Sequence, residues 1–377
     1  MKSFAVLLFL ACNLARAASP ILHQDFENGE SGWVTMGGAA TLRVTHDPAN
    51  VKTGKSALEF EYTAEPKRFG VALLPLTDVS IANMKTIRFW LKTDSATAIA
   101  VILSEKAPGG GRYSAIAWSP KERWQQIELT PADFSLTDEA NDPKDSNGKL
   151  DLDRLQAVGI VDVSQMFSAA QPNPDFPIAI DPHTGKHTMS IDDFDVLDTA
   201  SVGKTLAKLD GVVIDDFPRQ YVDWLTLGGA DLSLDASGKP LAEHAMKAVY
   251  QQVEEQYIVF VHKLGALDLS EANRLAFDVA SEKPAQLVIS FEERSPGKRQ
   301  GPRYSVDIEV PGGGKSDRRE VALGAFQPDQ NGPTDPNGKL DLDKIKTISI
   351  LDVTAAYTHE SAKNTLWIGN IHAVTRP

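Results

Sequence analysis

The chain has 377 residues, 42% of them hydrophobic and 24% charged, with a formal charge of −13. That length fits two domains of roughly 100–200 residues, and the composition can bury a core in each. The acidic balance excludes the basic surface that nucleic acid or an anionic membrane needs, and it suits a solvated surface with many oxygen ligands for a hard cation.

Lys2, the short apolar run Phe4–Leu10 and Ala15-Arg16-Ala17 predict a cleaved export signal over residues 1–17, hence a secreted or periplasmic protein. The run is too short to span a bilayer, and no later stretch is long enough. Cys12, the only cysteine, leaves with the signal, so the mature chain has no disulfide or thiol chemistry. Phe9-Leu10-Ala11-Cys12 also resembles a lipoprotein acylation box, and a lipid-anchored form is the alternative.

Further along, Ile87–Lys92 alternates apolar and polar residues, as do Trp124–Leu129 and Leu275–Val279. Ile99–Leu103 and Leu287–Phe291 are apolar runs of strand length, and Pro108-Gly-Gly-Gly111 and Pro311-Gly-Gly-Gly314 are turns. Asp151–Val158 is expected to form a helical turn. Many short strands with almost no helical period predict an all-β chain of antiparallel sandwiches, jelly rolls at this domain size.

The chain repeats itself. Asp145-Ser-Asn-Gly-Lys-Leu-Asp-Leu-Asp153 returns as Asp335-Pro-Asn-Gly-Lys-Leu-Asp-Leu-Asp343, and Arg112-Tyr-Ser114 as Arg303-Tyr-Ser305. Asp25-Phe26 with Trp33 returns as Asp216-Phe217 with Trp224. Matching offsets across the chain mean one ancestral domain used twice. The expected domains are 22–198 and a diverged copy at 212–376, joined by a linker at 199–211 short enough to keep them close.

The ordered set Lys52-Thr-Gly-Lys-Ser-Ala-Leu58, Arg88-Phe-Trp-Leu-Lys92, Arg112-Tyr-Ser-Ala-Ile116, Trp124–Phe134, Gly148-Lys-Leu-Asp-Leu152 and Ile191-Asp-Asp-Phe194 resembles galactose-binding-like β-sandwiches. The resemblance is greatest to carbohydrate-binding modules of family 11 and to complex I intermediate-associated protein 30 domains. It covers nearly all of 22–198 and, more weakly, 212–376.

Asp25 and Glu27, expected to begin the first strand, with Asp192 and Asp193 on the last, are candidate calcium ligands, or else solvated acids at strand ends. The resemblance implies that the Lys52–Ser56 turn adds carbonyls. In the second copy Gly369-Asn370 replaces the distal pair, so Ca2+ is expected in the first domain only. The Asp145-x-Asn147-Gly148 loop reads as a turn and cap before it reads as an ion site. His183 and His187 have metal-binding spacing only if helical, and they fall in or beside a Pro- and Gly-rich insertion that reads as a surface loop.

Strand parity puts Trp90 with Arg88 and Lys92, and Trp118 with Arg112, Ser114 and Ile116. The second copy carries Asp278 and Glu309 where the first has the two tryptophans. A buried tryptophan replaced by a carboxylate is costly, so Trp90, Arg112 and Trp118 are expected to form one exposed, sugar-stacking patch. Core or inter-domain packing of either indole is the competing reading. No catalytic signature such as Gly-x-Ser-x-Gly or His-Glu-x-x-His is present. The expected function is non-catalytic binding of an oligosaccharide or polysaccharide. The alternatives are a structural or assembly protein that binds another exported protein, and a jelly-roll polysaccharide lyase or hydrolase.

Overall fold

The computed structural model describes residues 20–30, 32–65, 68–137, 142–167, 178, 183–200, 210–227, 229–265, 267–295, 300–330 and 332–377. The expected export signal, and 201–209 of the expected linker, lie outside the described residues.

Among the described residues the strands form four six-stranded sheets, two from the part of the chain ending at Leu197 and two from the part beginning at Val212. In the first half a back sheet runs Ala39–Thr45, Ala57–Ala64, Gly185–Leu197, Thr86–Thr93, Gln125–Leu129, with Leu22–Gln24 also on Gly185–Leu197. A front sheet runs Ser135–Leu136, Arg112–Ser119, Thr97–Glu105, Leu155–Asp162, Val71–Pro75, Val34–Met36. The second half repeats both sheets with the same strand order along most of each. This is the expected all-β architecture of tandem antiparallel sandwiches. The helical turn expected at Asp151–Val158 is a 3-10 turn at Leu152–Arg154, and Leu155–Asp162 is strand.

Alternation explains the back sheet. Ile87, Phe89 and Leu91 are fully buried between the sheets, while Arg88, Trp90 and Lys92 face outward. Thr97–Glu105 behaves differently. Ile99, Val101 and Leu103 enter the sandwich, and the intervening Ala98, Ala100 and Ile102 give the other face an apolar lining too. A strand apolar on both sides needs cover on both sides.

The duplication extends to buried polar bonds. Tyr62 Oη donates to Asp162 Oδ2 at 2.6 Å, and Tyr250 Oη to Asp352 Oδ2 at 2.5 Å. Tyr113 donates to Asp145, and Tyr304 to Asp335. Asp145 Oδ1 accepts from Asn147 N and Gly148 N, and Asp151 N donates to Glu105 at 2.6 Å, as Asp341 N does to Glu293. Gly148 and Gly338 take the left-handed φ that closes this turn.

The second domain covers one end of the front sheet's outer face. Ala98, Ala100, Ile116 and Trp118 join the second domain's core, together with Val222, Trp224 and Ala230. The open edge of Arg112–Ser119 is used as well: Trp118 N donates to Val222 O at 2.8 Å. Tyr221 packs with the first core, and its hydroxyl donates to Glu128 O at 2.9 Å. Arg219 joins Asp133 of the first domain to Asp223 of the second.

Trp118, expected as an exposed sugar platform, is therefore 4% exposed and inter-domain. Its outward parity holds, but a second domain lies over it. Trp118→Ala is expected to cost about 3–5 kcal/mol, the range for truncating a buried aromatic, measured by urea unfolding. A loss of only about 0.5 kcal/mol, typical of exposed side chains, would contradict this placement.

Candidate functional site

Beyond the covered end, the outer face of the front sheet stays open and floors a cleft of about 480 Å³. That size lies within the range of about 300–1,000 Å³ usual for ligand sites. Ala100, Ile102, Ile116 and Val161 form an apolar floor. Phe69 and Met166, 40% and 44% exposed, stand at one rim. Arg112 stands at another, its Nη1 3.2 Å from Asp142 Oδ1. The wall beyond belongs to the second domain and carries Lys263, Arg294 and Lys346, with Lys263 Nζ donating to Ser114 Oγ at 3.0 Å.

Asp162 lies beneath this floor, fully buried. Burial pushes its carboxyl up, but His183 at 2.6 Å and donors from Thr97 and Tyr62 outweigh that and leave it below the usual range. The same burial, with the Asp162 charge, drives the Tyr62 phenol well above its ordinary value. Tyr62 is 1% exposed, so its hydroxyl does not serve the cleft as a proton donor. The His183 and His187 rings stack with centroids 3.7 Å apart, and His187 Nδ1 lies 3.3 Å from Asp94. Each imidazole is matched to a carboxylate, and most of the insertion before them lies outside the described residues.

The expected patch of Trp90, Arg112 and Trp118 does not assemble. Trp90 is on the back sheet, opposite Asp192 and Gln126, whereas Arg112 and Trp118 are on the front sheet. The outer faces of two packed sheets, about 10 Å apart at their backbones, look in opposite directions. The Trp90 ring is also occupied: the Lys52 ammonium sits 4.2 Å from its centroid. Of the three residues, Arg112 alone reaches the cleft.

The expected calcium ligands fit a different role. Glu27 Oε1 accepts from Lys55 N and Ser56 N at 2.7 and 2.9 Å, and Asp192 Oδ2 accepts from Lys52 N and Thr53 N at 2.8 and 2.9 Å. The turn thus offers amides to the acids. Gly54, with φ +63°, has no room for a Cβ, which would stand 2.3 Å from the Glu27 carboxylate. Asp25 turns to Glu27 N, and Asp193 takes a left-handed φ of +47° with its amide on Asp192. Asp25 and Glu27 follow the first strand, which ends at Gln24, rather than beginning it. These residues form a carboxylate-locked turn, and they do not fit a calcium cage in this arrangement.

Among the described residues, three ligating groups converge instead at Asp215, Asp223 and His262, within 4.8 Å of one another. Sequence spacing gave no sign of this group. Its carboxylates are already engaged: Asp215 by Phe217 N and Trp224 Nε1, both at 2.8 Å, and Asp223 by Arg219 at 2.6 Å. Burial, then the nearby Asp223 charge, raises the Asp215 carboxyl well above its ordinary value.

No protein-family model matches the chain. No curated protein matches it in sequence. Among solved structures it is similar to the family 11 carbohydrate-binding module of the cellulase Lic26A-Cel5E of Clostridium thermocellum, with 20% identity, 45% of this chain and 97% of that chain covered, and a TM-score of 0.37. It is similar to the tandem CBM22-1–CBM22-2 domains of Paenibacillus barcinonensis Xyn10C, with 12% identity, 96% and 99% covered, and a TM-score of 0.31. An exo-β-agarase matches at 19% identity over 44% of this chain and 25% of that one, with a TM-score of 0.34. These likenesses concern the fold.

Two outcomes follow from the site. Burial pulls His187 down, but the hydrogen bond and charge of Asp94 outweigh it and raise its pKa above the ordinary 6.5. A raised folded-state value gives stability that is complete below pH 6.5 and lost as pH rises through the folded pKa. The urea midpoint of the wild type should therefore fall between mildly acidic and mildly alkaline pH by more than that of His187→Gln; equal slopes would remove the pair from the balance. Calcium is expected to leave the melting temperature unchanged, while Glu27→Gln lowers it. A calcium-dependent rise, reversed by chelator and absent in Glu27→Gln, would restore the ion to the Lys52–Ser56 turn.

Proposed function

We propose that the chain is an exported, non-catalytic protein that binds an oligosaccharide or polysaccharide in the cleft between the first domain's front sheet and the second domain. The observation that carries this reading is the cleft itself: an open apolar sheet face ringed by a few polar side chains. A sugar ring presents C–H faces and peripheral hydroxyls, and such a surface meets both, with apolar contact below and planar donors such as Arg112 at the edge. The ordered motifs that resemble carbohydrate-binding modules support the same reading. Export rests on the charged and apolar pattern of residues 1–17. Among the described residues no helix is long and apolar enough to cross a membrane.

Binding, rather than chemistry, suits the state of the acids. Asp142 is tied to Arg112, and Asp162 is sealed beneath the floor among Tyr62, Thr97 and His183. An acid–base pair has to reach its substrate within hydrogen-bond distance.

Glycan arrays on the mature chain, followed by calorimetry on the best ligand, test the proposal. Phe69→Ala and Arg112→Ala should each weaken binding about tenfold, a loss of about 1.4 kcal/mol, and Trp90→Ala should leave affinity unchanged. Loss of binding in Trp90→Ala, with both cleft variants unaffected, would move the site to the back sheet.

A further inference from the structure

We propose that the second domain binds one zinc ion through Asp215, Asp223 and His262, at its junction with the first domain. This does not rest on the cleft being the glycan site. Asp215 ends strand Val212–Asp215, Asp223 stands two residues before Leu225–Thr226, and His262 lies on Ile258–Lys263. Three segments of the chain thus bring one ligating atom each to within 4.8 Å of the others. Asp215 and His262 are 4% and 8% exposed. Two carboxylates and an imidazole suit zinc, whereas calcium takes about six to eight oxygens.

The first copy shows that the sandwich itself does not need these groups. Trp33 Nε1 donates to Gln24 there, and Trp224 Nε1 donates to Asp215 Oδ2 at 2.8 Å in the second copy. An amide oxygen suffices for that bond and brings no charge into the interior. Asp223, which precedes Trp224, takes the place of Gly32, which precedes Trp33. His262 opposes Ile348 as Leu74 opposes Val158, so a buried imidazole takes the place of a buried leucine. All three ligating groups are peculiar to the second copy, and they meet at one point in space. Burying carboxylates and an imidazole where an amide, a glycine and a leucine serve is costly, and a shared cation offsets that cost for all three at once.

The hydrogen bonds around the group orient it without filling it. Asp215 accepts from Phe217 N at Oδ1 and from Trp224 Nε1 at Oδ2, and a carboxylate has about four acceptor sites. Asp223 gives Oδ2 to Arg219 at 2.6 Å, which leaves Oδ1 toward His262. His262 Nδ1 lies 3.7 Å from that oxygen and 3.4 Å from Asp223 O, both longer than an ordinary hydrogen bond. The ring is held in this direction by stacking on Trp224, with centroids 5.2 Å apart. Zinc bonds of about 2.0–2.1 Å separate tetrahedral neighbours by about 3.4 Å, close to the Nδ1–Oδ1 spacing. Asp223 and His262 also line a junction cavity of about 200 Å³, which admits the ion and a water for its fourth position. The bonds from Phe217, Trp224 and Arg219 are then the outer contacts that fix a metal's ligands.

The test is calorimetry of Zn2+ into the full mature chain after treatment with chelator, with Ca2+ as the second probe. Zinc should bind at one ion per chain, about tenfold or more tighter than calcium, and raise the melting temperature. Asp215→Asn keeps an acceptor for Trp224 Nε1, as Gln24 does for Trp33. It should lose about tenfold or more of the zinc affinity without lowering the melting temperature of the metal-free chain. His262→Leu installs the first copy's residue and should lose as much; it decides the matter if Asp215→Asn does not fold. His187→Gln removes one imidazole of the stacked His183–His187 pair, a rival position for zinc, and should leave the affinity unchanged. Loss of zinc binding in His187→Gln, with Asp215→Asn and His262→Leu unaffected, overturns the assignment and places the ion at that pair. A wild type that binds no zinc, or that binds calcium as tightly, overturns it as well.

Discussion

The structure depends on one constraint: the front sheet of the first domain is apolar on both faces. A sandwich buries one face of each sheet, and Ile99, Val101 and Leu103 fill that role. Ala98, Ala100, Ile102, Ile116 and Trp118 point the other way, where a single domain would leave them in water. The second domain covers Ala98 and Trp118 at one end and packs against Ala100 and Ile116, and these two with Ile102 floor the cleft beyond. The domain contact and the candidate site are two consequences of the same residues.

Apolar faces alone could slide against each other, and directional bonds set the register here. Tyr221 reaches into the first core and ends on Glu128 O, Trp118 N ends on Val222 O, and Arg219 links Asp133 with Asp223. Burial of Arg219 disfavours its charge, yet Tyr221 and the surrounding carboxylates raise its pKa overall. Such a paired group adds little net stability compared with apolar packing, but leaving any one partner alone is costly. That penalty makes the arrangement specific and holds Lys263 against Ser114 at the edge of the cleft.

Much of this was legible in the sequence. The duplication, the strand alternation and the Asn-Gly turns are local signals, and each appears where the residues placed it. The parity of Ile87–Lys92 and Arg112–Trp118 correctly sorted side chains by face. Parity cannot say what lies over a face, and Trp118 was misread for that reason. The Trp118-to-Glu309 exchange looked like a sign of exposure, when it marks a face that only the first copy buries against its sister domain. For calcium, the family resemblance implied that the Lys52–Ser56 turn adds carbonyls beside Glu27 and Asp192, whereas the turn presents its amides to them. The cleft was invisible because its far wall comes from Lys263, Arg294 and Lys346, more than a hundred residues away from its floor. The usable clue was the unbroken apolar run at Ile99–Leu103, which called for a partner on each side.

The two copies agree inside their sandwiches and differ on their outer faces. Their interiors agree bond for bond at Tyr62–Asp162 and Tyr250–Asp352, and at Tyr113–Asp145 and Tyr304–Asp335. Their back faces have diverged, but each is closed by its own groups. Lys52 caps Trp90 in the first, and in the second Asp278 takes Asn370 Nδ2 at 2.6 Å and Arg318 at 3.4 Å. A face whose aromatic or charged groups already have partners offers a ligand little without first breaking those contacts. The front of the first domain is different: its apolar floor is complete, but its charged wall comes from the other copy. The cleft is therefore built from both copies, and Lys263 and Lys346 stand where the first copy has Pro75 and Gln156, at positions outside the core that either sandwich needs in order to fold.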